Sequence, residues 1–278
     1  MLLGALAALS LIVGAKICLA TGAFSGQTWL WMLPLSALGC LLVTVLLAFL
    51  FLLYLCSRVD QNVQQEDDDP LYRKVTNLYI ESALPVLRIH VKASGLEKVP
   101  TDGRFLLVCN HCSLFDPIGL LYCFERFQLA FVSKKENSTM FVIDPMMHKI
   151  LCQLINREND REALKTILRC IQIIKEDKAS VAVFPEGGIL SEDGKLHHFR
   201  PGVFKIAQKA NVPIVVCTLK NTLNVIPNLL RWKRSDVQMT VLDVIPPEEI
   251  KGVTTVDIAD RCYKLMAEDL GPDLIAES

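Results

Sequence analysis

The chain has 278 residues, 29 Lys/Arg against 30 Asp/Glu, a formal net charge of −1 and 51% hydrophobic residues. That balance leaves no cationic excess for a nucleic-acid partner, whose binding rests on Lys and Arg neutralising phosphates. The length suits one domain of about 200 residues plus an appendage.

The charge is unevenly placed. Up to Cys56 the only charged residue is Lys16; every other Lys, Arg, Asp and Glu lies beyond it. Residues 1–21 are apolar over about 20 positions, enough to span a hydrocarbon core of roughly 30 Å. Residues 29–56 are apolar for longer and would tilt or reach into the interface. With 22–28 as a turn, residues 1–57 read as a hairpin of two antiparallel transmembrane helices. The competing reading of the first segment is a cleaved signal peptide, but it lacks the basic n-region, and Lys16 sits inside it. A lysine near a helix end can snorkel to the interface. Arg58, Arg73, Lys74 and Arg88 follow the second segment. The positive-inside rule then puts the rest of the chain in the cytoplasm, as part of a multi-pass protein of the cell membrane with the lipid bilayer as partner.

Residues 58–70, polar, acidic and closed by Pro70, read as a linker, and 71–278 as the catalytic domain. Over 71–84, Leu71, Val75, Leu78, Tyr79 and Leu84 fall near helical spacing, and Pro85 is expected to end the helix; it suits the membrane surface or ordinary packing equally. Residues 87–93 alternate, as a half-buried strand does, with His90 on the polar face. A buried-strand run over 104–109 leads through Asn110-His111-Cys112-Ser113-Leu114-Phe115-Asp116 into a helix from Pro117 to 124. Imidazole titrates ordinarily near neutral pH and serves as a general base, and a nearby carboxylate can fix its tautomer. Asp116 before Pro117 is equally readable as a helix N-cap with Pro at N1.

A strand over 128–133 ends at Lys134-Lys135. The apolar stretch 140–150 reads as a core helix, a bilayer contact or the lining of an apolar channel, and 151–156 as a short strand ending at Arg157. Residues 163–175 form an amphipathic helix with Leu164, Ile167, Leu168, Ile171 and Ile174 on one face. A strand over 180–184 runs into Pro185-Glu186-Gly187-Gly188, a turn whose N–H groups could cradle an anion. A helix over 202–210, strands over 214–219 and 237–244, and a helix over 255–270 complete an α/β fold with a mixed, partly parallel sheet flanked by helices. The two polar turns each follow an apolar strand and can share one crevice at the strands' carboxyl ends. The ten cysteines mostly lie in apolar runs as small hydrophobes. Cys109-x2-Cys112 has zinc spacing without a second pair, so no metal is expected.

The blocks Asn110-His111-Cys112-Ser113-Leu114-Phe115-Asp116 (NHxSxxD) and Phe184-Pro185-Glu186-Gly187, in this order, resemble the glycerolipid acyltransferases typified by 1-acylglycerol-3-phosphate acyltransferase. Ser133-Lys134-Lys135-Glu136, Leu154-Ile155-Asn156-Arg157 and Val212-Pro213-Ile214-Val215 extend the resemblance over roughly residues 90 to 220. It implies transfer of a fatty acyl group from acyl-CoA or acyl-carrier protein to the hydroxyl of a lysophospholipid acceptor, giving phosphatidate where the acceptor is 1-acylglycerol-3-phosphate, with no cofactor. His111 would be the base and Asp116 its orienting partner. Asn110, Ser113, Lys134, Arg157, Glu186, Gly187, Gly188 and Arg200 would meet the substrate, and backbone N–H groups of the two turns would meet the oxyanion. The sequence departs from the pattern at Ile189, where the family carries a phosphate-binding arginine, at Leu151 for a usual glycine, and at Val216 for a common proline. Another lysophospholipid or an amino-acid lipid stays open as acceptor. A non-catalytic lipid-binding protein of the same fold is the rival of another class. A hydrolase is a further rival, although Ser113 lies in no G-x-S-x-G elbow.

Overall fold

The computed structural model describes residues 2–134, 141–156, 159–190 and 193–276. It divides into two compact units, Met1–Asp60 and Gln61–Ser278. In the first, α1 (Leu2–Ala20) and α2 (Trp29–Ser57) form a helical hairpin. The helices meet where Gly14 lies against Ser36 and Ala37; a Cβ there would come within 3.0 Å of the Ser36 hydroxyl. That hydroxyl also donates to the Gly14 carbonyl at 3.4 Å. Of the described helices, α2 is the one long and apolar enough to cross a membrane.

The second unit opens with α3 (Pro70–Val86), whose first turn is fixed by Pro70 at N1 and by the Asp69 carboxylate accepting from the Leu71 and Tyr72 N–H groups. Pro85 lies inside the last turn; the helix ends instead where Arg88 takes a left-handed φ of 58°. A proline late in a helix loses one bond without disturbing the turns ahead of it, so the expected stop at Pro85 moves on by a residue. There follow β1 (Ile89–Ser94), β2 (Leu106–Cys109), α4 (Asp116–Cys123), β3 (Leu129–Lys134), α5 (Ile143–Lys149), β4 (Gln153–Ile155) and α6 (Asp160–Lys175). The chain continues through β5 (Ser180–Val183), α7 (Lys205–Ala210), β6 (Ile214–Lys220), α8 (Val225–Leu230), β7 (Ser235–Ile245), α9 (Pro247–Ile250) and α10 (Thr255–Leu270). The helix expected over 202–210 is a 3₁₀ turn, Pro201–Phe204, feeding the shorter α7.

The strands form one sheet in the order β1-β7-β6-β2-β5-β3-β4, parallel throughout except for the antiparallel β6–β7 pair. β2 and β5 are buried along their whole length, and β6 up to its last residue, as strands covered on both faces must be. α3 and α4 lie on one face; α6, α7 and α10 lie on the other, over a core that includes Leu106, Val108, Ile171, Val181, Phe204 and Met266. Within α6 the buried stripe is Ile167, Cys170, Ile171, Ile173 and Ile174, whereas Leu164 and Leu168 face outward. The apolar face expected there is narrower because the sheet covers only part of the helix circumference.

Residues 61–69, expected as part of a linker, are a strap bound to this unit. Lys149 donates to Gln65, Arg169 reaches Glu66 and the Gln65 carbonyl, and Lys178 pairs with Asp67. The acidic run is drawn down by a matching row of cations. Its innermost contact is Asp68 with Arg73, 2.9 Å apart and both nearly inaccessible; Arg73 also donates to the Leu129 and Ile150 carbonyls. Removing one partner of a buried pair leaves an uncompensated charge and typically costs about 3–5 kcal/mol. Asp68→Ala should therefore lower the unfolding midpoint of the protein far more than Asp67→Ala, whose carboxylate is largely in water. Thermal melts of the two variants read the difference directly; equal losses would refute the strap's buried anchor.

Candidate active site

The parallel register sets the site. β2 and β6 run side by side through Cys109↔Cys217, and one residue later Asn110 continues the ladder with its side chain. Its Oδ1 accepts from the Leu219 N–H at 2.8 Å and its Nδ2 donates to the Leu219 carbonyl at 3.0 Å. Only a carboxamide offers that donor and acceptor together, so Asn110 acts as a false backbone rung and fixes where the chain leaves the sheet.

His111 follows. Its Nδ1 lies 2.9 Å from Asp116 Oδ2, which also accepts from the Cys112 and Ser113 N–H groups at 2.7 and 2.8 Å. Asp116 is wholly buried, while the His111 side chain keeps 14% exposure. Asp116 is not the N-cap of α4; it lies in that helix's first turn and points back to gather the loop. With Nδ1 engaged, Nε2 has no hydrogen-bond partner among the described residues. Ser113 is buried, and its hydroxyl accepts from the Phe115 N–H at 3.2 Å.

A second buried carboxylate supports the loop from below. Glu186 Oε1 accepts from the His111 N–H at 2.7 Å, and Oε2 accepts from the His197 N–H at 3.0 Å. Phe184, two residues earlier, stacks on the imidazole with ring centroids 4.1 Å apart and a 16° tilt, and Phe131 stacks behind it at 6.0 Å. Gly187 and Gly188 turn the chain with φ of 93° and 148°, a region that disfavours side chains. The Gly187 N–H returns to the Phe184 carbonyl at 3.1 Å.

The amides of the two turns are therefore mostly spent. His111, Cys112, Ser113 and Phe115 donate to side chains, and Asp116 and Gly187 to carbonyls. That narrows which N–H groups the turns can offer an anion: among the described residues, those of Leu114, Glu186, Gly188, Ile189 and Leu190 have no hydrogen-bond partner. Asn110, Ser113 and Glu186, assigned by resemblance to the substrate, likewise turn their polar atoms to the protein. Arg200 is exposed, and its N–H holds the Pro185 carbonyl at 2.8 Å. Lys134 is the last residue of β3, the strand beside β5. Arg157 lies outside the described residues. Leu114, Ile189 and Leu190 are exposed apolar side chains on the two turns themselves.

The thiol beside His111 is held protonated. Burial, with Asp116 beside it, pushes Cys112 up to about 12, and its Sγ lies 3.5 Å from the Gly194 carbonyl. Burial also dominates Glu186, raising it to about 7; the His197 and His111 N–H groups pull it down less, and Asp116 raises it further. An acid raised in the folded state stabilises the fold below its unfolded pKa, and that contribution is lost as pH rises through the folded value. Between about pH 4.5 and 7, stability should fall by up to about 3 kcal/mol from this group, at roughly 1.36 kcal/mol per unit. Glu186→Gln should flatten that slope in melts recorded across the same interval. An unchanged slope would show that Glu186 does not titrate there.

The family model described as Acyltransferase matches residues 90–220, the span from β1 to the end of β6 that carries this geometry. A 1-acyl-sn-glycerol-3-phosphate acyltransferase of Haemophilus influenzae is 34% identical over 178 residues, covering 61% of this chain and 71% of that protein. One of Chlamydomonas reinhardtii is 29% identical over 208 residues, covering 73% of this chain and 60% of its own length. A chloroplastic enzyme of that name from Arabidopsis thaliana is 32% identical, with 45% of its length covered. The chain thus spans less than two thirds of several curated relatives that it matches. The crystal structure of the 1-acyl-sn-glycerophosphate (LPA) acyltransferase PlsC from Thermotoga maritima superposes with a TM-score of 0.58 at 24% identity, over 71% of this chain and 79% of that one. At that identity the likeness is one of fold.

Proposed function

This chain belongs to the acyltransferase family, and we propose that it is a membrane-bound O-acyltransferase that moves a fatty acyl group from a thioester to the hydroxyl of a lysoglycerolipid. The observation that carries the reading is the His111–Asp116 pair, with Nδ1 held at 2.9 Å and Nε2 left without a partner on a side chain that keeps 14% exposure. As the acceptor hydroxyl attacks the thioester carbonyl, its proton passes to Nε2 while the new C–O bond forms. The tetrahedral oxyanion then collapses, the C–S bond breaks, and the imidazolium returns the proton to the leaving thiolate. Asp116 holds the tautomer and faces the transient positive charge. Glu186, Asn110 and Phe184 position the base. The oxyanion falls to amides the protein has not used, those of Gly188 and Leu114 among them, where one such donor is worth about 3–4 kcal/mol in other acyl-transfer enzymes. The exposed Leu114, Ile189 and Leu190 supply apolar contact for an acyl chain.

The acyl donor is acyl-CoA or acyl-carrier protein, and the acceptor taken first is 1-acylglycerol-3-phosphate, after the names of the relatives. On this reading α2 crosses the bilayer, the shorter α1 returns beside it as a second pass, and the catalytic unit lies on the cytoplasmic side, where Arg58 and Lys74 follow α2. His111→Ala should cut acyl transfer by about 10²–10⁴-fold, the usual worth of a general base, in a protein that still folds. Asp116→Asn should lower kcat and loosen the loop, since Cys112 and Ser113 lose a charged acceptor. Assays of purified protein in detergent with labelled acyl thioester decide this, and full turnover by a folded His111→Ala variant would end the mechanism.

The headgroup is tested separately. Ile189 stands, partly exposed, where the family carries arginine, so a phosphate must be held by other cations, with Lys134, Arg157 and Arg200 as candidates. Neutralising Lys134 or Arg157 should raise the KM for lysophosphatidate, at about 1.5–3 kcal/mol per charged contact. Ile189→Arg should improve lysophosphatidate use relative to a neutral lysolipid. Kinetics left unchanged by the Lys134 and Arg157 substitutions would move the acceptor to another lysophospholipid or an amino-acid lipid, with the base chemistry intact.

A further inference from the structure

The connection from β6 to β7 carries a second feature that the acyl-transfer chemistry does not use. β6 leaves the sheet at the same end as β2, because the two are parallel and Asn110 binds Leu219. β7 returns antiparallel, so residues 221–234 rise at the end of the sheet that bears His111. At the crest, Leu230 is 83% exposed and Trp232 62%, with Ile226 beside them at 43%. Arg231, Lys233 and Arg234 are exposed between and after them. Arg234 pairs with Asp236 at 3.0 Å, whereas Arg231 and Lys233 have no acidic partner among the described residues.

The crest is built, not loose. Trp232 holds a left-handed φ of 53°, which bulky residues disfavour, and three main-chain bonds lock the turn: Arg231 and Lys233 to the Asn228 carbonyl, and Trp232 to that of Leu229. The Asn228 amide donates to Ser235 Oγ at 3.2 Å. Arg88, the residue before β1, clamps the turn, with its guanidinium on the Trp232 carbonyl at 3.0 Å and its own carbonyl receiving the Ser235 N–H. An ordered turn that holds a tryptophan and a leucine in water, flanked by unmatched cations, is the composition of an interfacial membrane anchor. Indole suits the headgroup level, and Arg and Lys suit anionic phosphates.

We propose that the crest Leu230-Arg231-Trp232-Lys233 inserts into the interface of an anionic bilayer, as a contact separate from the apolar hairpin, and turns the His111 end of the sheet toward the lipid surface. The chain's tryptophans are three, so Trp29→Phe with Trp31→Phe leaves Trp232 as the sole indole of the full-length protein. Reconstituted in phosphatidylcholine vesicles with about 30% phosphatidylglycerol, Trp232 should emit at shorter wavelength than in detergent and be quenched by lipids brominated on their acyl chains. Arg231→Glu with Lys233→Glu should abolish that quenching, lower acyl transfer in the anionic vesicles several-fold, and leave transfer to a micellar lysolipid unchanged. Trp232 that stays water-exposed in anionic vesicles overturns the proposal. So does an indole already shielded in detergent at rising protein concentration, which would mark a protein contact instead. The spectroscopic readout needs no catalytic turnover, so it stands apart from the acyltransferase assignment.

Discussion

Two buried carboxylates hold one loop, and the site depends on that arrangement. Asp116 closes the loop from its far end, taking the imidazole and two backbone N–H groups on a single oxygen. Glu186 holds it from the neighbouring strand, joining His111 to His197. Burying charge is unfavourable unless donors surround it, and here the donors are the main-chain amides of the structure being positioned. The expense shows at Asp116 Oδ1, which is buried and without a hydrogen-bond partner among the described residues. Such an orphan ordinarily costs about 1–3 kcal/mol. A fold tolerates it where the other oxygen must stay on the imidazole.

The parallel sheet makes this possible. β5 lies between β2 and β3, so the turn after Val183 comes up beside the turn after Cys109 without any long loop. Glu186 reaches across that one strand spacing, and Phe184 fills the gap beneath the ring. Asn110 does the equivalent work on the other side, toward β6. The base is therefore braced from both neighbours, and its Nε2 is the atom left to meet a ligand.

Much of this was legible beforehand, because it rests on local pattern. The helix over 255–270 matches residue for residue, and the strand expected over 180–184 begins at Ser180 and ends one residue early, since caps and apolar runs define them. The two turns were found as strand-to-turn junctions carrying carboxylates. What the sequence concealed was which way those carboxylates point. Asp116 before Pro117 has the form of an N-cap, and only the loop's closure shows that it serves Cys112 and Ser113. Glu186 looked available to a substrate, because its partners are backbone groups 75 and 11 residues away. Asn110's pairing with Leu219 depends on strand register, which one chain's pattern does not encode. The strap over 61–69 was taken for a linker on its acidity, and of the cations that bind it all but Arg73 lie beyond residue 148.

The apolar rim follows from the same economy of groups. Once the turn amides and carboxylates are committed inward, the outward surface of the two turns is left to Leu114, Ile189 and Leu190. An aqueous acceptor would gain little from such a rim, whereas a lipid brings an acyl chain that covers it. Burying one such side chain is worth about 1.5–3 kcal/mol, comparable with a charged contact to a headgroup. On the proposed reading, Ile189 offers a lipid's acyl chain apolar contact at a position where an arginine would offer a phosphate charge, so selectivity among acceptors should rest less on headgroup charge than on the chain.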